Sequence, residues 1–456
     1  MSKKSNPRVS FLTFNTWGLK WVSKFREERL RAIADAICGH PGYVESLQGA
    51  ATVFGDGSLS NEYDIIALQE IWCKSDWDYI VEKCGHLYPY NRIFYSGILT
   101  GPGLAILSKI PIESTFLYRF PINGRPSAFL RGDWYVGKSI AITLLKPVVE
   151  GSTPLAIMNS HMHAPYSLTG DANYHCHRAC QAWDFSKLAN LYKKAGYAVV
   201  IVGDLNSRPG SLQHRFLTEE TNLIDSWEQL KGKQDITEIA SLPPLEQLKE
   251  GCCTCDSTLN TWRPKCKPTD ACRLDYALID GEKLRTIDAG VRFTERLPNI
   301  GSYSDHFAYS CTLEIAFQDS SIVGSSEETL DNYTNTEMST LKHRIANYNE
   351  LVDVIDTYMN TARNQKFYRG LHFVLSIVAL VFLLVKSFDK NSLIRSNSSW
   401  LTFIWILLVI AISATGTIDG LISFLFGRKE IRALTEVKYE VLDAKCSLSK
   451  ATKKQL

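Results

Sequence analysis

The chain has 456 residues, 50 Lys and Arg against 48 Asp and Glu, and 45% hydrophobic residues. That length exceeds one ordinary domain, and a formal net charge of +2 gives no basis for a nucleic-acid partner. Twelve scattered cysteines and an N-terminus, MSKKSNPRVSFLTFNTW, without a signal-length apolar run point to a cytosolic main domain with reduced thiols.

Along the chain, short apolar runs alternate with helical patterns over residues 8–317. VSFLTFN, YDIIALQE, LAILSK, SIAITLL, PLAIMNSH, YAVVIVGD and RLDYALID read as strands; 24–38 and 171–196 read as helices between them. The expectation is one large α/β domain. Residues 318–340, rich in Ser, Thr and acids, read as a linker, and 341–369 as a juxtamembrane helix.

Two apolar runs follow, GLHFVLSIVALVFLLV at 370–385 and WLTFIWILLVIAISATGTI at 400–418. At 1.5 Å per residue they reach about 24 and 28 Å, enough for a hydrocarbon core of about 30 Å with snorkelling ends. The expected membrane helices are 370–388 and 400–426. Six flanking cations outside the pair (Arg363, Lys366, Arg369, Arg428, Lys429, Arg432) oppose three between the spans, which puts both termini in the cytosol. Asn397-Ser-Ser in the connecting loop matches a glycosylation acceptor but sits against the second span. The tail, 427–456, carries a net +4 over 428–456 and either meets an anionic leaflet or forms a solvated helix.

Polar residues recur where strands end: Asn15, Glu70, His161 with His163, Asp204 with Asn206, Asp275, and Asp305 with His306. Six such sets, all acidic, amide or imidazole, imply a shared site at one edge of the sheets. Carboxylates, amides and imidazoles without clustered thiols suit a hard divalent ion such as magnesium, and an imidazole held by a carboxylate can deprotonate water. Together they suit metal-assisted phosphoester hydrolysis.

In this order FNTWG, ALQEIW, GPGLAILSK, NSHMHAP, GDLNSRP, RLDYAL and SDHFAY resemble the endonuclease/exonuclease/phosphatase superfamily, and the two apolar runs after them narrow the resemblance to its neutral sphingomyelinase branch. The resemblance implies a two-sheet α/β sandwich followed by a C-terminal two-helix transmembrane region. It also implies magnesium, a sphingolipid substrate, ceramide release and anionic phospholipids as activators. By motif, Glu70 matches the magnesium-holding glutamate and Asn15 the asparagine beside metal and phosphate. Asp204 and Asn206 match the pair that positions nucleophile and phosphate. His306 matches the catalytic base and Asp305 its orienting partner. His161, or else His163, contacts the phosphate or leaving oxygen, with His161 favoured. Asp275 is a supporting carboxylate or a structural one. A nuclease, an inositol-phosphate phosphatase and an inactive membrane scaffold are the alternatives. A nucleic-acid partner is not expected, a homo-oligomer stays open, and the endoplasmic reticulum or mitochondrial outer membrane is the expected location.

GDWYVGKS at 132–139 matches a nucleotide-binding phosphate loop, yet KSIAITLLK after it reads as a strand, so no helix is expected to open at the lysine. In neutral sphingomyelinases a stretch like this is implicated in switching the site on, which gives Asp133 and Lys138 a regulatory or phosphate-contacting role; a hairpin turn with a surface ion pair is the plain alternative. Cys252, Cys253, Cys255, Cys266 and Cys272 lack zinc-ligand spacing and read mainly as free thiols. Asp419 marks the membrane boundary or a lipid contact. Residues 121–136, with Arg125, Phe129, Leu130, Arg131, Trp134 and Tyr135, form either a headgroup-facing loop or core.

Overall fold

The computed structural model describes residues 5–39, 42, 45, 63–97, 103–128, 131–167, 169–318, 330–388 and 399–455. Phe129, Leu130, Asn397 and residues 319–329 of the expected linker lie outside these. The chain divides into two compact units, Met1–Gly124 with Arg131–Asn347, and Arg125–Leu130 with Tyr348–Leu456.

Among the described residues, fourteen strands form in the first unit. They are β1 (Arg8–Asn15), β2 (Ile65–Ile71), β3 (Tyr90–Tyr95), β4 (Gly103–Ser108), β5 (Ile112–Arg119), β6 (Ser139–Leu145) and β7 (Leu155–His161). Then come β8 (Ala198–Asp204), β9 (Leu223–Asp225), β10 (Asp275–Asp280), β11 (Leu284–Arg292), the short pair β12 (Arg296–Leu297) and β13 (Gly301–Ser302), and β14 (Ala308–Ile315). Two six-stranded mixed sheets result, ordered β11-β14-β1-β2-β4-β3 and β5-β6-β7-β8-β10-β9.

Period-two alternation explains why both faces of the first sheet are covered. Val9 and Phe11 of β1, Ile65 and Ala67 of β2, and Leu104 and Ile106 of β4 share one core with Leu155, Ile157, Ala198, Val200, Val202, Ala277 and Ile279 of the second sheet. The intervening residues Leu12, Phe14, Ile66, Leu68, Ala105 and Leu107 pack in a second core with Leu30, Ile33, Trp77 and Ile80 of the helices Arg26–Ile37 and Lys74–Cys84. A polar group lies within the sandwich: Gln69 Nε2 donates to Asn159 Oδ1 at 2.8 Å and to Thr13 Oγ1 at 3.0 Å, and Asn159 Nδ2 donates to the Leu68 and Ala105 carbonyls, both at 3.1 Å.

The second unit is helical. Helix Leu330–Ser387 runs unbroken for 58 residues, so 330–340, expected as linker, are helical, and 341–369 and the first apolar run are one helix. Ser399–Leu421, a π-turn at Ile422–Phe426 and Gly427–Gln455 follow. Within Thr340–Ser387 and Trp400–Lys450 the most apolar stretches have mean hydropathy 2.1 and 2.2 and are 6% buried; both helices are long and apolar enough to cross a membrane. The two apolar helices approach closely at Gly416 and Gly420, where an added Cβ would meet Ser376 at 2.5 Å and Phe373 at 2.6 Å. Asp419 between them is bonded by Arg369, and His372 Nδ1 lies 2.8 Å from it. Beyond the apolar runs, Leu351, Ile355, Tyr358 and Ala362 are buried, as are Leu434, Val437 and Val441 of the tail helix. Tyr358 bonds Glu430 at 2.8 Å and Lys438 meets Asp356 at 2.6 Å. The basic tail is therefore half of a packed helix pair rather than a freely solvated helix.

Candidate active site

The sandwich stops being apolar at one edge, and the site begins there. On the inward face of β7 the sequence runs Leu155, Ile157, Asn159, His161; on β8 it runs Val200, Val202, Asp204; β10 starts at Asp275 ahead of Ala277 and Ile279. The register aligns the three ends, pairing His161 with Asp204 and Asp204 with Asp275. In the first sheet the same face of β1 carries Val9, Phe11, Thr13 and then Asn15, which reaches across so that its Nδ2 donates to Asp204 Oδ2 at 3.0 Å.

By plain alternation Glu70 would follow Ile66 and Leu68 onto the outer face. It does not, because the β2–β4 pairing shifts register between Gln69 and Ile71, and Glu70 sits at φ +64°. Its Oε1 therefore lies 3.5 Å from Asn15 Nδ2 and 3.8 Å from His161 Nδ1. The bulge brings the Glu70 carbonyl against Gly18, where a Cβ would stand 2.1 Å from that oxygen; the glycine of FNTWG is there to admit it.

His306 closes the cluster. Its Nδ1 lies 2.9 Å from Asp275 Oδ2, and its Nε2 lies 3.8 Å from Asp204 Oδ2 and 3.5 Å from Cys255 Sγ. This corrects the expected partner: Asp305 accepts from Arg263 Nη2 at 2.8 Å and from Ser304 Oγ at 3.3 Å, and Asp275 orients the imidazole. Neighbouring backbones point adjacent residues of a loop in different directions, whereas Asp275 leaves its strand towards the site.

His163 is also placed elsewhere. Two residues beyond the strand end, its Nδ1 lies 3.3 Å from Asp133 Oδ2 and its ring stacks on Tyr174 at 4.1 Å. Asp133 is paired in turn with Lys138 at 3.0 Å. Both are buried, 7% and 4% exposed, so the plain alternative of a surface ion pair does not hold. GDWYVGKS makes a single helical turn, Asp133–Val136, ahead of β6, and no helix opens at Lys138. Trp134 packs on Tyr135 at 5.0 Å, and Arg131 lies over Tyr174 at 5.4 Å.

Asn206, at φ +47°, donates from its backbone N–H to Asp204 Oδ1 at 3.0 Å and from Nδ2 to the Met162 carbonyl at 3.0 Å. Several supports were not signalled by strand-end polarity. Buried Arg29 donates to the carbonyls of Thr16, Trp17 and Tyr303, tying the loops that carry Asn15 and Asp305. Arg178 holds the Asn206 carbonyl at 3.0 Å. Arg263 and Cys255 flank Asp305 and His306; both lie in the cysteine-rich stretch rather than at a strand end.

Electrostatics follow from burial. Burial raises Glu70, the neighbouring Asp305 charge raises it further, and it stands at about 7. Burial likewise lifts Asp204 to about 6, with Asp275 adding to the rise and His306 opposing it. Burial pulls His161 well below its ordinary value, and the Lys138 and His306 charges push the same way, so it is neutral. Burial also pulls down His306, but the Asp275 and Asp204 carboxylates outweigh it and raise the imidazole well above 6.5. Cys255 is itself pushed up by burial and stays a neutral thiol, so the two carboxylates hold the proton on His306.

This set fits a cation. Asp204, Asp275 and His306 bring ligand atoms within 4.8 Å of one another and form a group able to hold a metal ion. Glu70 offers a second, hard-oxygen position. Among the described residues its half-buried carboxylate meets long contacts, from Asn15 at 3.5 Å and Trp72 Nε1 at 3.4 Å, which leaves its oxygens able to take a cation.

A two-sheet sandwich with a carboxylate–imidazole–amide cluster at one edge is the framework of a hydrolase of phosphate esters. Residues 12–306 match the Endonuclease/Exonuclease/phosphatase family. The chain belongs to that family and is an enzyme of its hydrolase class. It is 60% identical over 438 residues to the Inositol phosphosphingolipids phospholipase C of Saccharomyces cerevisiae, covering 96% of this chain and 90% of that one. A protein of the same name from Schizosaccharomyces pombe is 32% identical over 98% of this chain and 96% of its own length. Sphingomyelin phosphodiesterase 2 of Mus musculus is 31% identical over 50% of this chain and 49% of that one.

Proposed function

We propose that this chain is a membrane-anchored phospholipase C that hydrolyses the ceramide–phosphate bond of inositol phosphosphingolipids, and of sphingomyelin, releasing ceramide. What carries the reading is that the Asn15, Glu70, His161, Asp204, Asp275 and His306 cluster stands intact in a chain 60% identical, over nearly its whole length, to a phospholipase C of that name. An inactive scaffold would have no need of six titratable or amide groups, five of them buried and Glu70 half-buried, converging on one point, and a DNA nuclease would have no need of two apolar helices.

In this reading Glu70 and Asn15 would hold magnesium, and the charge of Asp305 reaches Glu70. Bound there, magnesium would neutralise phosphate charge as water attacks in line. Asp204, fixed by Asn15 and by the Asn206 N–H, orients the water. His306, in its unprotonated form, takes the water's proton at Nε2, while Asp275 at Nδ1 stabilises the imidazolium. The new P–O bond forms as the bond to the ceramide oxygen breaks. His161, kept neutral, and the Asn15 and Asn206 amides face the charge added to the phosphoryl oxygens. The buried Asp133–Lys138 pair acts through the charge of Lys138, which lowers Glu70 and Asp204. Anionic phospholipid is the activator in this reading, and the excess of cations outside the spans places both termini in the cytosol.

The test offers inositol phosphoceramide, sphingomyelin and supercoiled plasmid to the purified full-length protein with magnesium and phosphatidylserine micelles. Ceramide release that is abolished by EDTA and in His306→Ala is the expected result. Nicked plasmid without ceramide would return the chain to the nuclease members of its family.

A further inference from the structure

Residues 19–25, LKWVSKF, form a turn that no step above uses. Trp21 is 92% exposed, Val22 67% and Phe25 48%. Single exposed apolar residues are ordinary on a protein surface, but three within five positions, led by an almost wholly bare Trp, are not. The turn is built. The Val22 N–H and Ser23 N–H donate to the Leu19 carbonyl at 3.3 and 3.1 Å, and Ser23 Oγ donates to the same oxygen at 2.6 Å. Arg29 Nε holds the Lys24 carbonyl at 2.9 Å, and Phe25 ends the turn at φ +47°. The segment is held in a shape that presents its apolar side chains outward.

Its position ties it to the site. Trp17, three residues after β1's final apolar position, donates its N–H to Asn15 Oδ1 at 3.1 Å. Trp262 lies 5.3 Å from Trp17 and 6.3 Å from Phe25, and its neighbour Arg263 holds Asp305. An aromatic series therefore runs from the exposed turn to the mouth of the cluster. Lys20 and Lys24 flank Trp21, there is no acid in 19–25, and Lys20 Nζ stands 5.1 Å over the Trp21 ring.

We propose that this turn docks the catalytic domain on a lipid bilayer, with Trp21, Val22 and Phe25 entering the headgroup–acyl boundary and Lys20 and Lys24 meeting anionic headgroups. The chemistry is that of an interfacial anchor: Trp prefers that boundary because its ring is apolar and its N–H polar, and lysines add attraction to a negative surface. The inference deepens the proposed function and rests on it, because a site fed by a membrane lipid gains when its rim sits at the lipid surface. The two apolar helices are long enough to cross a membrane and, doing so, would keep the chain at a bilayer.

The experiment uses the full-length protein in phosphatidylserine-containing vesicles with and without lipid brominated on the acyl chains. Quenching of tryptophan fluorescence is compared between wild type and Trp21→Phe. The expected result is that the variant lacks a component quenched in wild type; equal quenched intensity in both overturns the proposal. In parallel, a W21S/V22S variant should raise KM for vesicle-presented sphingolipid about tenfold, the size expected for losing burial of a large apolar side chain, and leave turnover of a short-chain monomeric sphingolipid unchanged. An equal loss on both substrates overturns docking and makes the turn part of the site's framework. Wild type that cleaves no sphingolipid refutes the proposed function, and the quenching comparison still decides the docking.

Discussion

Asp275 Oδ2 lies 2.9 Å from His306 Nδ1, although Asp305 is the residue next to His306 in the chain and is bonded to Arg263 instead. The carboxylate beside His306 in SDHFAY and the one in RLDYAL thus have different partners. Asp275→Asn should lower kcat by about 10²–10⁴-fold, the range for losing a well-placed acid–base group, with little change in the magnesium needed for half-maximal rate. Asp305→Asn should instead raise that magnesium requirement. Steady-state kinetics over a magnesium series separates the two.

The same pair sets a pH dependence. Burial lowers His306, while the Asp275 and Asp204 carboxylates raise it to a net value well above 6.5. The base must be unprotonated, so kcat/KM should rise with pH through that raised value. Removing the Asp275 charge removes a raising influence, and the residual activity of Asp275→Asn should show its acid limb at lower pH than wild type. An acid limb that stays in place would assign it to another group.

Lys138 and Asp133 form a buried pair, and removing one partner leaves the other charge without compensation. Lys138→Ala should destabilise the fold by about 3–5 kcal/mol, and the double change Asp133→Asn with Lys138→Met should recover most of that. Denaturant midpoints of the full-length protein in micelles give both numbers. If the single variant unfolds at the wild-type midpoint, the pair is solvated.

Gly18 admits the Glu70 carbonyl, and a methyl group there would stand 2.1 Å from it. Gly18→Ala should displace the bulge and with it the Glu70 carboxylate, raising the magnesium requirement about 10- to 100-fold, as loss of a ligand's support does. Metal titration of activity checks it against Gly416→Ala, a close-packed glycine far along the chain.

Buried histidines make the fold acid-sensitive. His214 stands at about 4 and His163 at about 3 against an ordinary 6.5, burial being the main cause of each. Folded values below unfolded ones mean the unfolded chain binds the extra protons, so stability falls as pH drops from 6.5 towards 4. His214→Gln should reduce that fall by about 1.4 kcal/mol per pH unit across the window. Unfolding midpoints measured at several pH values provide the test.

Much of the architecture was legible because it is local and periodic. VSFLTFN, YAVVIVGD and RLDYALID carry the β-branched runs that form β1, β8 and β10. Strands such as YNRIFY, with exposed Tyr90 and Tyr95, and IESTFLYR lack that density and went unread. Strand-end polarity marked Asn15, Glu70, His161, Asp204, Asp275 and His306 as one group because β-pairing leaves such ends at a common edge. The tail's helical seam of Leu434, Val437 and Val441 was masked by the lysines and arginines around it.

By itself the sequence determined the sheet-rich domain, the two apolar helices, the set of polar strand-end residues that meet at one edge and the failure of GDWYVGKS as a phosphate loop, because each depends on residue type and short-range period. Which groups meet was decided only in three dimensions. A one-residue bulge turned Glu70 inward, strand register set His161, Asp204 and Asp275 side by side, and two residues past a strand end sent His163 to Asp133. Side-chain direction beyond a strand depends on backbone dihedrals and on partners distant in sequence, and a motif's letters carry neither.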